Sequence, residues 1–269
     1  MMPTSAKTLR TAARTGDGIS MMHFARRAGA YILAVAAILL CWHLVALVIA
    51  SPALPTPVAT IPVLVRYLPD LLPAFWVSLY RVAAAIAIAS LLAVPAGLAI
   101  GRIPRLDAML APALYILYPI PKIVLLPVLL VLLGLGDAAK IALIAVTVFF
   151  QVLVSVRDAA RNVSRDALMS AYSLGASPWV VCCHVVVPAV LPELFTALRV
   201  GSGTAVAILF LAEAIAGSTG LGYFIVNAWA MIDYPAMFAG IIAMAVLGVG
   251  LYELFHLVEW LLTPWRRVE

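Results

Sequence analysis

The chain has 269 residues, 65% of them hydrophobic and 11% charged, with a formal net charge of +5. A soluble domain is nearer about half apolar and about a quarter charged, because it must present a polar surface to water. The composition excludes an ordinary water-soluble domain, and basic residues scattered beside apolar segments rather than gathered in runs argue against a nucleic-acid partner; a lipid bilayer is the solvent that fits.

Residues 1–27 form a polar, basic tail carrying Lys7, Arg10, Arg14, Arg26 and Arg27. The apolar run 28–50 is long enough to cross a bilayer and is followed by no Ala-x-Ala-like cleavage site before the prolines, so it reads as a retained span rather than a signal peptide. Ser51-Pro52-Ala53-Leu54-Pro55-Thr56-Pro57 interrupts it, and the segment 60–72, with Arg66 and Asp70 on its polar side, reads as an interfacial helix. A second span is expected over 75–100. A third, over 108–133, contains Pro112, Pro119, Pro121 and Pro127, so it should face protein or a water-filled path that satisfies the freed backbone groups. The fourth runs over 139–156, the fifth over 193–216 up to Gly217-Ser218-Thr219-Gly220-Leu221-Gly222, and the sixth over 235–257. The reading is an all-α integral membrane protein of about six transmembrane helices, a single permease-sized domain over 28–262 with short tails at 1–27 and 263–269.

Charge asymmetry orients it. With the N-terminus inside, the inner segments hold the basic tail, Arg102, Arg105, Arg157, Arg161, Arg165, Arg266 and Arg267, whereas the outer ones hold Arg66 and Lys140. Both termini are therefore expected in the cytoplasm of a cell-membrane protein. Three cysteines, Cys41, Cys182 and Cys183, make no disulfide framework and read as packing residues.

The one long polar interruption, 157–190, is legible locally. Ser164 is placed to cap a helix whose first turn holds Asp166, and Gly175 suits the left-handed residue that closes it. Ser177-Pro178 opens a second helix, expected to run to Val187 and to break at Pro188. Leu168, Tyr172, Leu174 and Trp179 give the pair an apolar side, which either docks on a partner protein or rests on the membrane surface.

At this point the sequence resembles the permeases of binding-protein-dependent ABC importers. Their cytoplasmic motif, Glu-Ala-Ala, three residues, Gly, nine residues, then Ile-x-Leu-Pro, falls on Met169-Ser170-Ala171, Gly175 and Val185-Val186-Val187-Pro188. The surrounding Leu174-Gly175-Ala176-Ser177 is similar to the family as well. Leu54-Pro55-Thr56-Pro57, Pro119-Ile120-Pro121-Lys122 and Gly220-Leu221-Gly222-Tyr223 resemble its nitrate/sulfonate/taurine/bicarbonate branch. The resemblance implies a type I importer: two permease copies, two cytosolic ATPases that bind ATP and Mg2+, and an external receptor that delivers a small solute, an anion such as a sulfonate, taurine or nitrate. It implies that the loop carrying Asp166 to Pro188 couples to the ATPase. One departure stands out, since Met169 replaces the motif glutamate; Asp166, one helical turn earlier, is the candidate substitute. The chain has no Gly-x-x-x-x-Gly-Lys-Ser/Thr phosphate loop and no His-Glu-x-x-His or Gly-x-Ser-x-Gly motif, so no catalytic, cofactor or metal site of its own is expected. An ATP-independent carrier is the rival reading, but no internal repeat supports it.

Ionisable residues within spans are costly and are candidates for function. Arg81 is expected to snorkel to the interface. Lys122 either attracts an anionic solute or pairs with Glu213, and Glu213, just before Gly220 and Gly222, is a candidate gate residue. Arg199 reads as an inner anchor, and Glu253 and Glu259 as pairing groups near the inner end of the last span.

Overall fold

The computed structural model describes Gly29 and residues 31–267, so the basic segment 1–27 and its charges lie outside the described residues, as do the side chains of Arg266 and Arg267. The chain divides into two compact units, Met1–Pro62 and Val63–Glu269. The first holds α1 (Tyr31–Ile49), whose 19 residues match a bilayer core about 30 Å thick at about 1.5 Å per residue. The unit boundary falls inside α2 (Pro57–Arg66).

The second unit is built from α3 (Leu68–Arg102), α4 (Pro104–Leu117), α5 (Leu126–Leu133), α6 (Asp137–Arg161), α7 (Arg165–Ser173), α8 (Pro178–Val181), α9 (Val187–Ala216), α10 (Leu221–Ala230) and α11 (Tyr234–Leu262). Prolines explain much of this punctuation. Those at the starts of α3, α4, α5, α8 and α11 occupy first turns, where the missing N–H would have no intrahelical acceptor anyway.

Four expectations need correction. The segment 60–72 is not one interfacial helix: the chain breaks at Tyr67, and residues from Leu68 onward belong to the 35-residue α3. The third span is not continuous. It is split into α4 and the Lys122–Leu133 segment, which bend by 84°. Pro119 and Pro121 cause the break, because each disfavours helical backbone in the residue before it and lacks a donor N–H. The fourth span continues to Arg161, so the polar interruption starts at Asn162 rather than at Arg157. The helix also does not break at Pro188. A π-helical turn over Cys182–Val186, closed by Val187 N–H to Cys182 C=O, lets α8 run on into α9 and absorbs the donor that Pro188 lacks.

The core is centred on α3 and α6. Ala85, Ala89, Ala93, Gly97 and Gly101 recur every fourth residue on α3 and face Val148, Val152, Val156 and Ala160, spaced likewise on α6. A Cβ at Gly97 would lie 2.9 Å from Leu153 O and from Val156. Between helices in a bilayer, where lipid is as apolar as leucine, such close approach supplies the packing energy. Gly240 likewise meets Phe224 and Ile225 of α10, whereas Gly203 and Gly250 face open space.

Candidate functional site: the coupling segment and a buried charge cluster

The segment between α6 and α9 is closed by local hydrogen bonds at each joint. Ser164 Oγ accepts from Ala167 N at 3.4 Å and caps α7; Ser177 Oγ accepts from Val180 N at 3.4 Å and caps α8. α7 ends in a Schellman motif. Gly175 N donates to Tyr172 O at 2.9 Å and Ala176 N donates to Ala171 O at 3.2 Å, with Gly175 at φ +81°. Nothing lies within 4 Å of a Cβ built at Gly175, so only the left-handed backbone asks for glycine. Ala171 and Ala176 pack on the core with Leu168, which is buried rather than part of an exposed apolar side. The outward face is formed by Met169, Tyr172, Leu174 and Trp179, with Leu174 89% and Trp179 76% exposed. Asp166 and Ser170 are exposed on the same helix. Pro188 sits in the first turn of α9.

At the opposite end of the bundle, α3, α6, α9 and α10 converge on a cluster whose members are far apart in the chain. Arg81 is buried, 2% exposed, and does not snorkel. Its guanidinium contacts Glu213 Oε1 at 2.7 Å and Asp137 Oδ1 at 2.6 Å, and donates to Thr219 O and Thr219 Oγ1 at 2.8 Å each. Glu213 is fully buried and also accepts from Gly222 N at 2.8 Å and from the Ser78 hydroxyl, 2.9 Å from each carboxylate oxygen. Ser78 Oγ in turn accepts from Leu221 N at 2.8 Å. Gly220 and Gly222 are glycine for steric reasons. Gly220 has φ +102°, and any Cβ there would strike the Glu213 carboxylate; a Cβ at Gly222 would lie 2.7 Å from Glu213 Cβ and Phe210 O. The cluster can hold a charge pair without water, because every ionised group has charge-assisted partners.

Lys122 is not the partner of Glu213. Its ammonium donates to Leu117 O, Tyr118 O and Ile120 O at 2.8, 2.9 and 2.6 Å, using all three N–H groups on carbonyls freed by the bend. The Nζ also lies 4.9 Å from the centre of the Phe150 ring. At the far end of α6, Arg157 is buried instead of lying in a polar loop, with Nε 2.5 Å from Asp107 Oδ1, while Arg161 reaches Asp107 Oδ2 at 3.2 Å. Arg199 pairs with Glu259 at 3.1 Å and meets His256 Nδ1 at 3.2 Å. Outside the spans, the Tyr67 hydroxyl donates to Asp233 Oδ2 at 2.9 Å, and that hydrogen bond, with the adjacent negative charge, holds the phenol above its usual pKa. Among the described residues, no group of three or more His, Cys, Asp or Glu is placed to hold a metal ion.

Sequence reasoning missed Arg81 as the companion of Glu213, and Asp137 as the second carboxylate on Arg81. The available signal was Arg81 itself, set within the apolar run of α3 where an unpartnered charge is costly; Asp137, half-exposed at the first residue of α6, gave none.

Apolar helices long enough to span, one bent pair, a buried Arg81–Glu213 ion pair and a capped protrusion with an exposed apolar face define a multi-pass membrane protein. Residues 89–259 match the family of binding-protein-dependent transport system inner membrane components, and the chain belongs to that family. It is 33% identical over 189 residues to the taurine transport system permease protein TauC of Escherichia coli K12, covering 70% of this chain and 69% of that one. It is 28% identical over 254 residues to a probable ABC transporter permease protein of Brucella abortus, covering 94% and 97%. Among solved structures, its fold matches a chain of the MetNI methionine ABC transporter in inward-facing conformations, with a TM-score of 0.61 at 20% identity over 74% of this chain and 98% of that one.

Proposed function

We propose that this chain, a permease of the ABC importer family, assembles as a pair of copies with two cytosolic ATPases and an extracytoplasmic receptor in a bacterial cell membrane, with both termini in the cytoplasm. The ATP-independent carrier is not favoured. ATP and Mg2+ are held by the ATPases, and this chain has no nucleotide site of its own. Its domain 28–262 forms the path for a small anion, a sulfonate in the first instance, which the similarity to a taurine permease supports.

The observation that carries this reading is the α7–α8 protrusion. Met169, Leu174 and Trp179 are exposed on two short helices whose ends are tied by Ser164, Gly175 and Ser177. A rigid apolar knob transmits displacement, and its continuity with α9 through the π turn carries that displacement into a span. Asp166 supplies an acidic contact in place of the motif glutamate, which is Met169 here. Glu213, Gly220 and Gly222, held by Arg81, close the outer end of the path. The test is purification of the tagged chain from its native membranes in mild detergent. A co-purifying ATPase with vanadate-sensitive hydrolysis, lost on replacing Gly175 by valine, is expected. A chain that purifies alone and passes solute in liposomes without ATP overturns the proposal.

A further inference from the structure

A niche of about 350 Å³ opens beside the bend between α4 and α5, lined by Tyr118, Lys122, Thr147, Phe150, Gln151 and Thr204 among others. Thr147 and Gln151 stand in the middle turns of α6 and Thr204 in the middle of α9, so the niche lies near mid-depth of two spans. Its polar groups are of two kinds. Thr147 Oγ1 donates to Leu143 O at 2.9 Å, and Lys122 is committed to three carbonyls, so both are already partnered. Among the described residues, no hydrogen bond engages the half-buried Gln151 amide or the exposed Thr204 hydroxyl. The Gln151 Oε1 lies beside Gly201 of α9, where a Cβ would stand only 3.4 Å away, so the glycine gives the amide its room.

An unpartnered amide at this depth facing lipid would cost several kcal/mol, about 2–7 by transfer scales. A face that carries an amide, a free hydroxyl and an ammonium therefore borders water rather than acyl chains. Its charge has a definite sign. The carbonyls around Lys122 are dipoles and leave its positive charge in place, and no carboxylate lines the niche. One uncompensated cation beside two free hydrogen-bond donors is complementary to a small oxyanion.

We propose that Gln151 and Thr204, in the field of Lys122, form the contact site for a permeating sulfonate-class anion, with Gln151 the residue that sets the preference for negative charge. This rests on the proposed function and assigns the contact residues within its pathway. Lys122 acts at a distance, since its N–H groups are occupied; the Gln151 amide N–H and the Thr204 hydroxyl donate to the solute oxygens.

The test uses the full transporter, with its own ATPase and receptor, in proteoliposomes at saturating receptor, and reads labelled taurine moved per ATP hydrolysed. That ratio cancels differences in protein yield, which a merely structural role would produce. Gln151→Glu places a carboxylate where the anion must pass and lowers the ratio by about tenfold or more, the effect of a single unfavourable charge contact. Gln151→Leu lowers it about threefold to tenfold and Gln151→Asn, which keeps the amide, stays within about twofold. If Gln151→Glu fails to assemble, Thr204→Val on the other helix gives the same readout, with a fall of about threefold expected. Wild-type ratios in both Gln151→Leu and Thr204→Val, or in Gln151→Glu, overturn this inference while leaving the importer reading in place. A wild-type complex that hydrolyses ATP but moves no sulfonate overturns the solute class, and one with no ATPase at all overturns the proposed function itself.

Discussion

Gly220 lies directly against the carboxylate of Glu213, in a backbone conformation of φ +102° and ψ 168° that leaves no space for a side chain. The glycine-rich break after α9 is thereby a wrapping for a buried acid. Gly220→Ala adds a Cβ in a region of backbone space open essentially to glycine alone, at about 1–3 kcal/mol before the displaced carboxylate is considered. Thermal unfolding of the detergent-solubilised protein is expected to shift down clearly. An unchanged midpoint would show that the loop rearranges without cost.

Arg81 and Glu213 are coupled. Removing one charge strands the other in a dry site, which costs about 3–5 kcal/mol, whereas removing both costs much less than the sum. Arg81→Met and Glu213→Gln are each expected to be strongly destabilising, with the double variant more stable than either. A double-mutant cycle by thermal or denaturant unfolding checks this, and simple additivity would contradict it. Asp137 is half-exposed, so its replacement by asparagine is expected to cost less than either.

At Gly175 the space is open and the backbone alone is demanding. Asparagine tolerates the left-handed region, and a β-branched residue does not. Gly175→Asn is expected to retain the co-purifying ATPase and Gly175→Val to lose it, with both variants reaching the membrane at similar levels. Equal retention by the two would mean that the Schellman turn is not needed for docking.

Leu174 and Trp179 contribute little to the fold, being largely exposed, so Leu174→Asp and Trp179→Ala should leave thermal stability within about 0.5 kcal/mol. Their expected effect is on partner binding, read as loss of ATPase in the pull-down. Asp166→Lys tests the substitute acid: a drop in solute-stimulated hydrolysis is expected, and unaltered stimulation would remove Asp166 from the contact.

Lys122→Met removes the ammonium donor from three carbonyls at the α4–α5 bend, of which Leu117 O keeps the Ile120 N–H at 3.3 Å. A loss of about 1–3 kcal/mol in stability is expected. Hydrogen exchange at the bend should rise while the α3–α6 core keeps its protection.

Much of this molecule is legible without coordinates, because the relevant forces act along the chain. Apolar runs of bilayer length mark the spans, and Ser164, Gly175 and Ser177 mark the helix ends of the protrusion, since a cap and its acceptor are three or four residues apart. Prolines at 119 and 121 announce a disturbed third span, although its 84° bend follows only from where the two halves pack. The charges were a different matter. Arg81 reaches Glu213 across 132 positions and Asp137 across 56, and both pairings depend on how α3, α6 and α9 are rotated about their axes. That rotation is decided by the small-residue stripe of α3 meeting the valines of α6. Lys122 and Glu213 therefore look equally available to each other in sequence. Only packing shows that one is committed to carbonyls at a bend and the other to an arginine, because the cost of an unpartnered charge is set by burial, and burial belongs to the assembled helices rather than to any one of them.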